Sequence, residues 1–403
     1  MTNPYVAIFR APGASAFSAA GFLARLPLAM VTIGIVTMLS QTHGRYGLAG
    51  AVAATFAVTN AVVSPQVSRL VDRHGQRRVL VPVTTVSVLA FVALVLNARL
   101  AGPDWLLFVS ALVAGVMPSM PAMVRARWTV LYRGTPQLHT AFAFESILDE
   151  VIYMSGSVLS IGLSLSLFPE AGVLAAALIL AVGTALFVVQ KSTEPPVHPA
   201  GTESGGSAIR LASVRTLAIA LAAVGTIFGT AEVSVIAFAE ALGDKAAASY
   251  VLAGYASGSL VVGIVYGMLK MKTLLSRQFL VAIAIVTLTT VPPLLVGSIP
   301  ALALVLFVAG GAISPTFITA FALIERLVPG ARLTEGITWG MTGIGIGVAI
   351  GSIASGYVID TFGAQAGFWI SVAAGVVALA TAILGNRTLR IPAVSAGKET
   401  ALA

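Results

Sequence analysis

The chain has 403 residues, 58% of them hydrophobic and 9% charged, with no cysteine and a net charge of +8. A soluble domain carries about 25% charged residues, so this composition excludes a water-soluble globule, and the lack of cysteine excludes disulfide and thiol chemistry. Runs such as Val79 to Leu96 do not alternate apolar and polar residues, which excludes a transmembrane barrel and leaves helices that close their own backbone hydrogen bonds in the bilayer.

Twelve spans of about 20 residues fit the chain. The first six are expected at 17–39, 48–70, 79–100, 104–126, 139–166 and 171–190. The second six are expected at 215–239, 248–270, 278–297, 301–326, 335–358 and 364–385. The first apolar run shows no convincing cleavage site and is read as a retained span rather than a signal peptide. With both termini placed inside, 19 of the 23 lysines and arginines fall on the inner side. Arg45, Arg99 and Lys245 fall outside, and Arg25 lies within span 1. That asymmetry orients an even-numbered topology with cytoplasmic termini in the plasma (inner) membrane. Trp105 and Trp369 are expected at the outer interface, Trp128 and Trp339 at the inner one.

Lys191 to Arg215 is the one long polar stretch, and its EPPVHPAGTESGG core reads as a linker. The expected organisation is a six-helix bundle at 1–190, a cytoplasmic linker at 191–214, a second bundle at 215–390 and a tail at 391–403. The halves repeat each other. Val113-Ala114-Gly115 recurs as Val308-Ala309-Gly310, Leu138 as Leu333, and Gly156-Ser157 as Gly351-Ser352, always 195 positions on.

The loop between spans 2 and 3 reads SRLVDRHGQRR, from Ser68 to Arg78. Gly75 follows Asp72 where a chain leaving a helix needs a residue tolerant of positive φ. The loop resembles the signature between helices 2 and 3 of the major facilitator superfamily. Asp72, Arg73, Gly75, Arg77 and Arg78 match that signature, and Ser68 stands where the family has glycine. The resemblance implies an all-α membrane protein with 12 transmembrane helices in two pseudo-symmetric six-helix bundles, binding substrate near the midplane between them. It also implies a gate in which Asp72 docks at the N-terminus of span 11, at Thr334 and Glu335, where the helix dipole favours an anion. The simpler reading is that these arginines only fix topology. Span 11 carries a ladder of Gly336, Gly340, Gly343, Gly347, Gly351 and Ser355 that admits a closely packed, sliding neighbour. The corresponding loop of the second half keeps Lys270, Lys272 and Arg277 but no aspartate.

Ionisable residues inside the bilayer cost about 2.5–3.5 kcal/mol each on insertion scales, so each one present needs a reason. Span 5 contains Glu145, Asp149 and Glu150; the first two share a helix face and the third points about 100° away. Arg25 lies at a comparable depth and is expected to pair with Glu145 or Asp149, leaving one carboxylate of the cluster to titrate. Crowded, desolvated carboxylates hold protons more readily. The alternatives are a static brace between helices and, for Glu145, snorkelling to the interface. Glu232 lies in the outer half of span 7, which lines the cavity in proteins the chain resembles; it suits a cationic substrate, a proton or a hydrated interface. Pro118, Pro121 and Pro315 mark bends in spans 4 and 10, assigned to the substrate cavity. Against the family's efflux antiporters, span 5 lacks a Gly-Pro pair, and 111–124 in span 4 holds no arginine.

No Walker A sequence, metal-ligand spacing or nucleophile–base pair occurs. The expected protein is neither an enzyme nor a nucleic-acid binder and takes no cofactor. Its resemblance to the small bacterial efflux-type members of the superfamily implies a monomeric secondary transporter in the lipid bilayer, working by alternating access and exporting a small organic, amphipathic molecule in exchange for protons. Nutrient uptake, uncoupled facilitation and a non-transporting receptor or scaffold on the same fold are the alternatives.

Overall fold

The computed structural model describes residues 3–197, 206–244, 247–269, 271 and 273–390. Lys245, Lys270, Lys272 and Lys398, the linker residues 198–205 with His198, and the tail 391–403 lie outside the described residues. Every described element is helical. Eleven described helices are long and apolar enough to cross a membrane. The chain divides into two units, Met1–Gly205 and Gly206–Ala403.

The first unit holds α1 (Pro4–Ile8), α2 (Ala14–His43), α3 (Tyr46–His74), α4 (Gln76–Arg99), α5 (Asp104–Ala114), α6 (Met120–Tyr132), α7 (Pro136–Ser166) and α8 (Ala171–Val189). The second holds α9 (Ala212–Ala241), α10 (Ala247–Met268), α11 (Leu275–Thr289), α12 (Ile299–Gly310), α13 (Ile313–Leu327), α14 (Leu333–Phe362) and α15 (Phe368–Leu384). Several helices outrun the expected spans by one turn, because the polar residues at their ends continue the backbone ladder into the interface. Gly75 separates α3 from α4 at φ +88°, and its N–H closes on the Val71 carbonyl at 2.8 Å. Only glycine takes that backbone without strain.

Two expected spans are broken. Span 4 is α5 and α6, interrupted at 115–119, with Pro121 in the first turn of α6. The carbonyls released at the break are met from α3. Asn60 Nδ2 donates to Gly115 O at 3.1 Å and Met117 O at 2.8 Å, and Ser64 Oγ donates to Met117 O at 3.2 Å. A neighbouring helix thus re-satisfies the backbone at membrane depth, where water cannot. Span 10 is α12 and α13, and here Pro315 is not the breaking residue: the interruption falls at Gly311–Ala312, ahead of it. Pro118 and Pro121 are buried.

Small residues set the closest helix pair of the second unit. A Cβ at Gly343, Gly347 or Gly351 of α14 would run into the carbonyls of Ala218, Ala222 and Thr226 of α9, one turn apart each time. Gly225 and Gly229 of α9 stand reciprocally against the Ile344 and Val348 carbonyls. The glycine ladder receives α9 in close backbone contact, as small-xxx-small packing allows. In the first unit the apolar core runs through Met30, Ile35, Phe56, Phe91 and Leu180, all buried.

Candidate functional site

Three helices of the first unit converge on one charged cluster. Arg25 comes from α2, Arg125 and Trp128 from α6, and Glu145 and Asp149 from α7. Arg25 Nη1 lies 2.6 Å from Glu145 Oε2 and 2.9 Å from Asp149 Oδ1. Arg125 Nη2 lies 2.6 Å from Asp149 Oδ2. Trp128 Nε1 donates to Glu145 Oε1 at 2.6 Å, and Arg25 Nε donates to the Gly21 carbonyl at 3.2 Å. Arg25, Arg125 and Glu145 are at most 1% exposed, whereas Asp149 is 32% exposed. The four formal charges cancel. Two guanidiniums and two carboxylates are the arrangement that makes burial tolerable, because each ion is both paired and hydrogen-bonded.

The expected site residues therefore fall into different places. Arg25 bridges Glu145 and Asp149 rather than choosing between them, so neither of these two is left without a counter-ion. Glu145 is fully buried, so it does not snorkel. Glu150, half-buried on the same helix, makes none of the ion pairs just described. Trp128 corrects the aromatic belt. It is fully buried and boxed by Phe9, Phe17 and Tyr132, with Phe17 4.7 Å away edge-on, while Trp105 and Trp369 are exposed.

Arg125 and Arg127, counted in the sequence only as inner-face charges, are both buried. Their signal was the run Pro121–Trp128. A proline in the first turn of a new helix carries the chain on past the break and turns Arg125 inward. Arg127 ties the signature loop to the end of α8. Its Nε donates to Gln76 Oε1 at 2.8 Å, its Nη1 donates to Gln190 O and Thr193 Oγ1, and its guanidinium stacks 3.8 Å over the Phe187 ring. Gln76 in turn donates to Met123 O at 3.0 Å, and the Arg77 amide donates to Glu194 Oε1 at 2.9 Å. The loop that carries Asp72, Arg73, Arg77 and Arg78 is thus anchored inside its own unit through Gln76, a position between the motif residues. Ser68 is fully buried, as close helix contact at that motif position requires.

In the second unit, Glu232 is exposed on α9. The first turn of α14 carries its own carboxylate, Glu335, buried and accepting from Ser207 Oγ and, at 3.4 Å, from Trp339 Nε1. A cavity bounded by Tyr255, Thr290, Phe368 and Ser371 has a volume of about 20 Å³, room for about one water and not for a substrate.

The sequence model described as Major Facilitator Superfamily matches residues 17–269 and 216–401. Solved transporters share the fold. A bacterial homologue of the iron transporter ferroportin, in an outward-facing state, superposes with a TM-score of 0.72 at 17% identity, covering 93% of this chain and 99% of its own. The E. coli fucose:proton symporter gives 0.70 at 14%, covering 92% and 98%. The human organic anion transporter MFSD10 (TETRAN) gives 0.69 at 15%, covering 94% and 100%. No curated protein matches by sequence.

Proposed function

The chain belongs to the Major Facilitator Superfamily, and from that premise we propose that this multi-pass membrane transporter moves a small organic molecule coupled to protons, by alternating access. The observation that carries the reading is the Arg25–Glu145–Asp149–Arg125 cluster. Such a cluster is costly to insert, and one member, Asp149, keeps about a third of its surface accessible while the rest are sealed. A carboxylate held by two buried cations and still partly accessible can trade those partners for others as the protein changes state, which is the logic of coupling. Placement in the plasma membrane with cytoplasmic termini rests on the charge asymmetry of the loops. For the signature loop, a role in gating is supported by its motif residues and by the Gln76–Arg127 anchor.

A second reading, export of a cationic molecule in exchange for protons, is favoured by Glu232, a carboxylate exposed on a membrane helix with no charged neighbour in its stretch IFGTAEVSVIAF.

The test is transport by the purified protein in proteoliposomes loaded with a pH-sensitive dye, under an imposed pH gradient. The panel is cationic dyes, sugars, amino acids and organic sulfonates. Substrate-dependent proton movement is expected, and its sign separates symport from antiport. Substrate flux without proton movement would leave a facilitator and reduce the cluster to a brace.

A further inference from the structure

The two arginines around Asp149 have a geometry that a brace does not need. Arg25 Nη1 and Arg125 Nη2 take opposite oxygens of the same carboxylate, at 2.9 and 2.6 Å. That is a two-guanidinium clamp on one carboxylate, and its occupant is the only partly exposed member of the cluster. Arg25 is 1% exposed, and its Nη2 has no hydrogen-bond partner among the described residues. The clamp therefore has an unused buried donor and an occupant that is 32% exposed.

Resting on the proton-coupled reading above, we infer that the Arg25–Arg125 clamp is the binding site for an organic monoanion, a carboxylate or sulfonate, which displaces the Asp149 carboxylate and obliges Asp149 to take up one proton. Charge balance carries the argument. At rest the cluster holds two guanidiniums against Glu145 and Asp149 and is neutral. An incoming anion without a proton would leave three negative groups on two arginines inside the bilayer. One proton on the displaced carboxyl restores neutrality, so the loaded and empty sites carry the same charge across the membrane. No bond other than the O–H of Asp149 forms, and the proton is supplied by the solvent from which the anion enters.

The charged and titratable groups around Asp149 leave it this role. Glu145 is sealed at 0% exposed between Arg25 and Trp128. Of the neighbouring elements, α1 brings only Tyr5, whose phenol burial pushes up to about 12 and so keeps it neutral. α8 brings no charged residue between Ala171 and Val189, α6 adds Arg127 and Tyr132, α2 adds His43 at its far end, and α7 itself adds His139, Glu150, about 100° around from Asp149, and Tyr153, one turn on. Linkage then requires anion binding and proton binding to strengthen each other.

The experiment is binding by the full-length protein in lightly buffered detergent. The probes are sodium benzoate and benzenesulfonate, with benzamide and benzylamine as the uncharged and cationic counterparts. For wild type, the anions should cause uptake of about one proton per protein, and their affinity should rise as pH falls. Asp149→Asn, which leaves the clamp without its internal anion, should bind benzoate and benzenesulfonate at least tenfold tighter than wild type at pH 8, with no proton uptake. Should that variant fail to fold, the wild-type pH dependence decides alone. Benzylamine binding with proton release would overturn the anion site while leaving proton coupling standing. Proton-independent binding of every probe would overturn the coupling as well. Failure of benzoate and benzenesulfonate to bind a folded Asp149→Asn would also overturn the clamp.

Discussion

The same helix seam is built twice in this chain with opposite chemistry. In the first unit α7 meets α2 through charge: Glu145 and Asp149 take Arg25, and α6 adds Arg125. In the second unit the corresponding seam is α14 against α9. The positions 195 residues beyond Glu145 and Asp149 are Gly340 and Ile344. That seam closes by backbone contact at Gly343, Gly347 and Gly351. Gly156 and Gly351 keep the shared plan, each facing its partner helix across the seam. A seam of small residues holds one register and offers nothing to titrate. A seam of ion pairs can exchange its partners, and the one in the first unit leaves Asp149 32% exposed.

Breaking either seam should cost stability through a different mechanism. Arg25→Gln leaves Glu145 buried without its cation, and the expected loss is the largest here, about 3–5 kcal/mol, read as a fall in the detergent melting temperature. The double variant Arg25→Leu with Glu145→Leu should recover part of that loss, since removing both partners leaves no unpaired charge. Gly347→Leu should cost about 1–3 kcal/mol, because its side chain would occupy the place of the Ala222 carbonyl. Gly345→Leu, two residues away and facing open space, is the control and should leave the melting temperature unchanged.

A second paired place sharpens the comparison. The break of span 4 is held from α3 by Asn60 and Ser64, whereas the positions 195 further on are Tyr255 and Ser259. There Ser314 Oγ donates to Ser259 O at 2.9 Å. Asn60→Ala leaves the Gly115 carbonyl without its donor and Met117 O with Ser64 alone, and should cost about 1–3 kcal/mol. The smallest effect belongs to the exposed Arg45–Asp104 pair at 2.7 Å, where Asp104→Asn should change stability by less than about 1 kcal/mol and lose even that in high salt.

Much of the fold could be read before any coordinates. Apolar run length placed the spans, because a membrane helix must be about 20 residues long and apolar almost throughout. The 195-residue repeat pointed to two like halves. The site was legible in its carboxylates and Arg25, since charges within apolar runs stand out against their neighbours. Arg125, Arg127 and Trp128 did not stand out. Basic residues near a span's inner end look like topology markers, and a tryptophan there looks like a belt residue. Only the break at 115–119, with its carbonyls held by Asn60, shows that α6 starts a new helix and buries those side chains. The glycines of α14 were visible as a ladder, but which helix they receive depends on tertiary packing that periodicity does not encode. Neither could local sequence show that Gln76, between the motif residues, would be gripped by an arginine 51 positions away.

The most direct test of the central claim is substrate-driven proton flux in proteoliposomes, comparing wild type with Asp149→Asn and Gly345→Leu, each paired with substrate counterflow. The account predicts that Asp149→Asn still exchanges substrate across the membrane at a measurable rate but moves no protons, while Gly345→Leu keeps both activities. Full proton flux in Asp149→Asn would contradict it, and would return the charged seam of the first unit to the same purely structural standing as the glycine seam of the second.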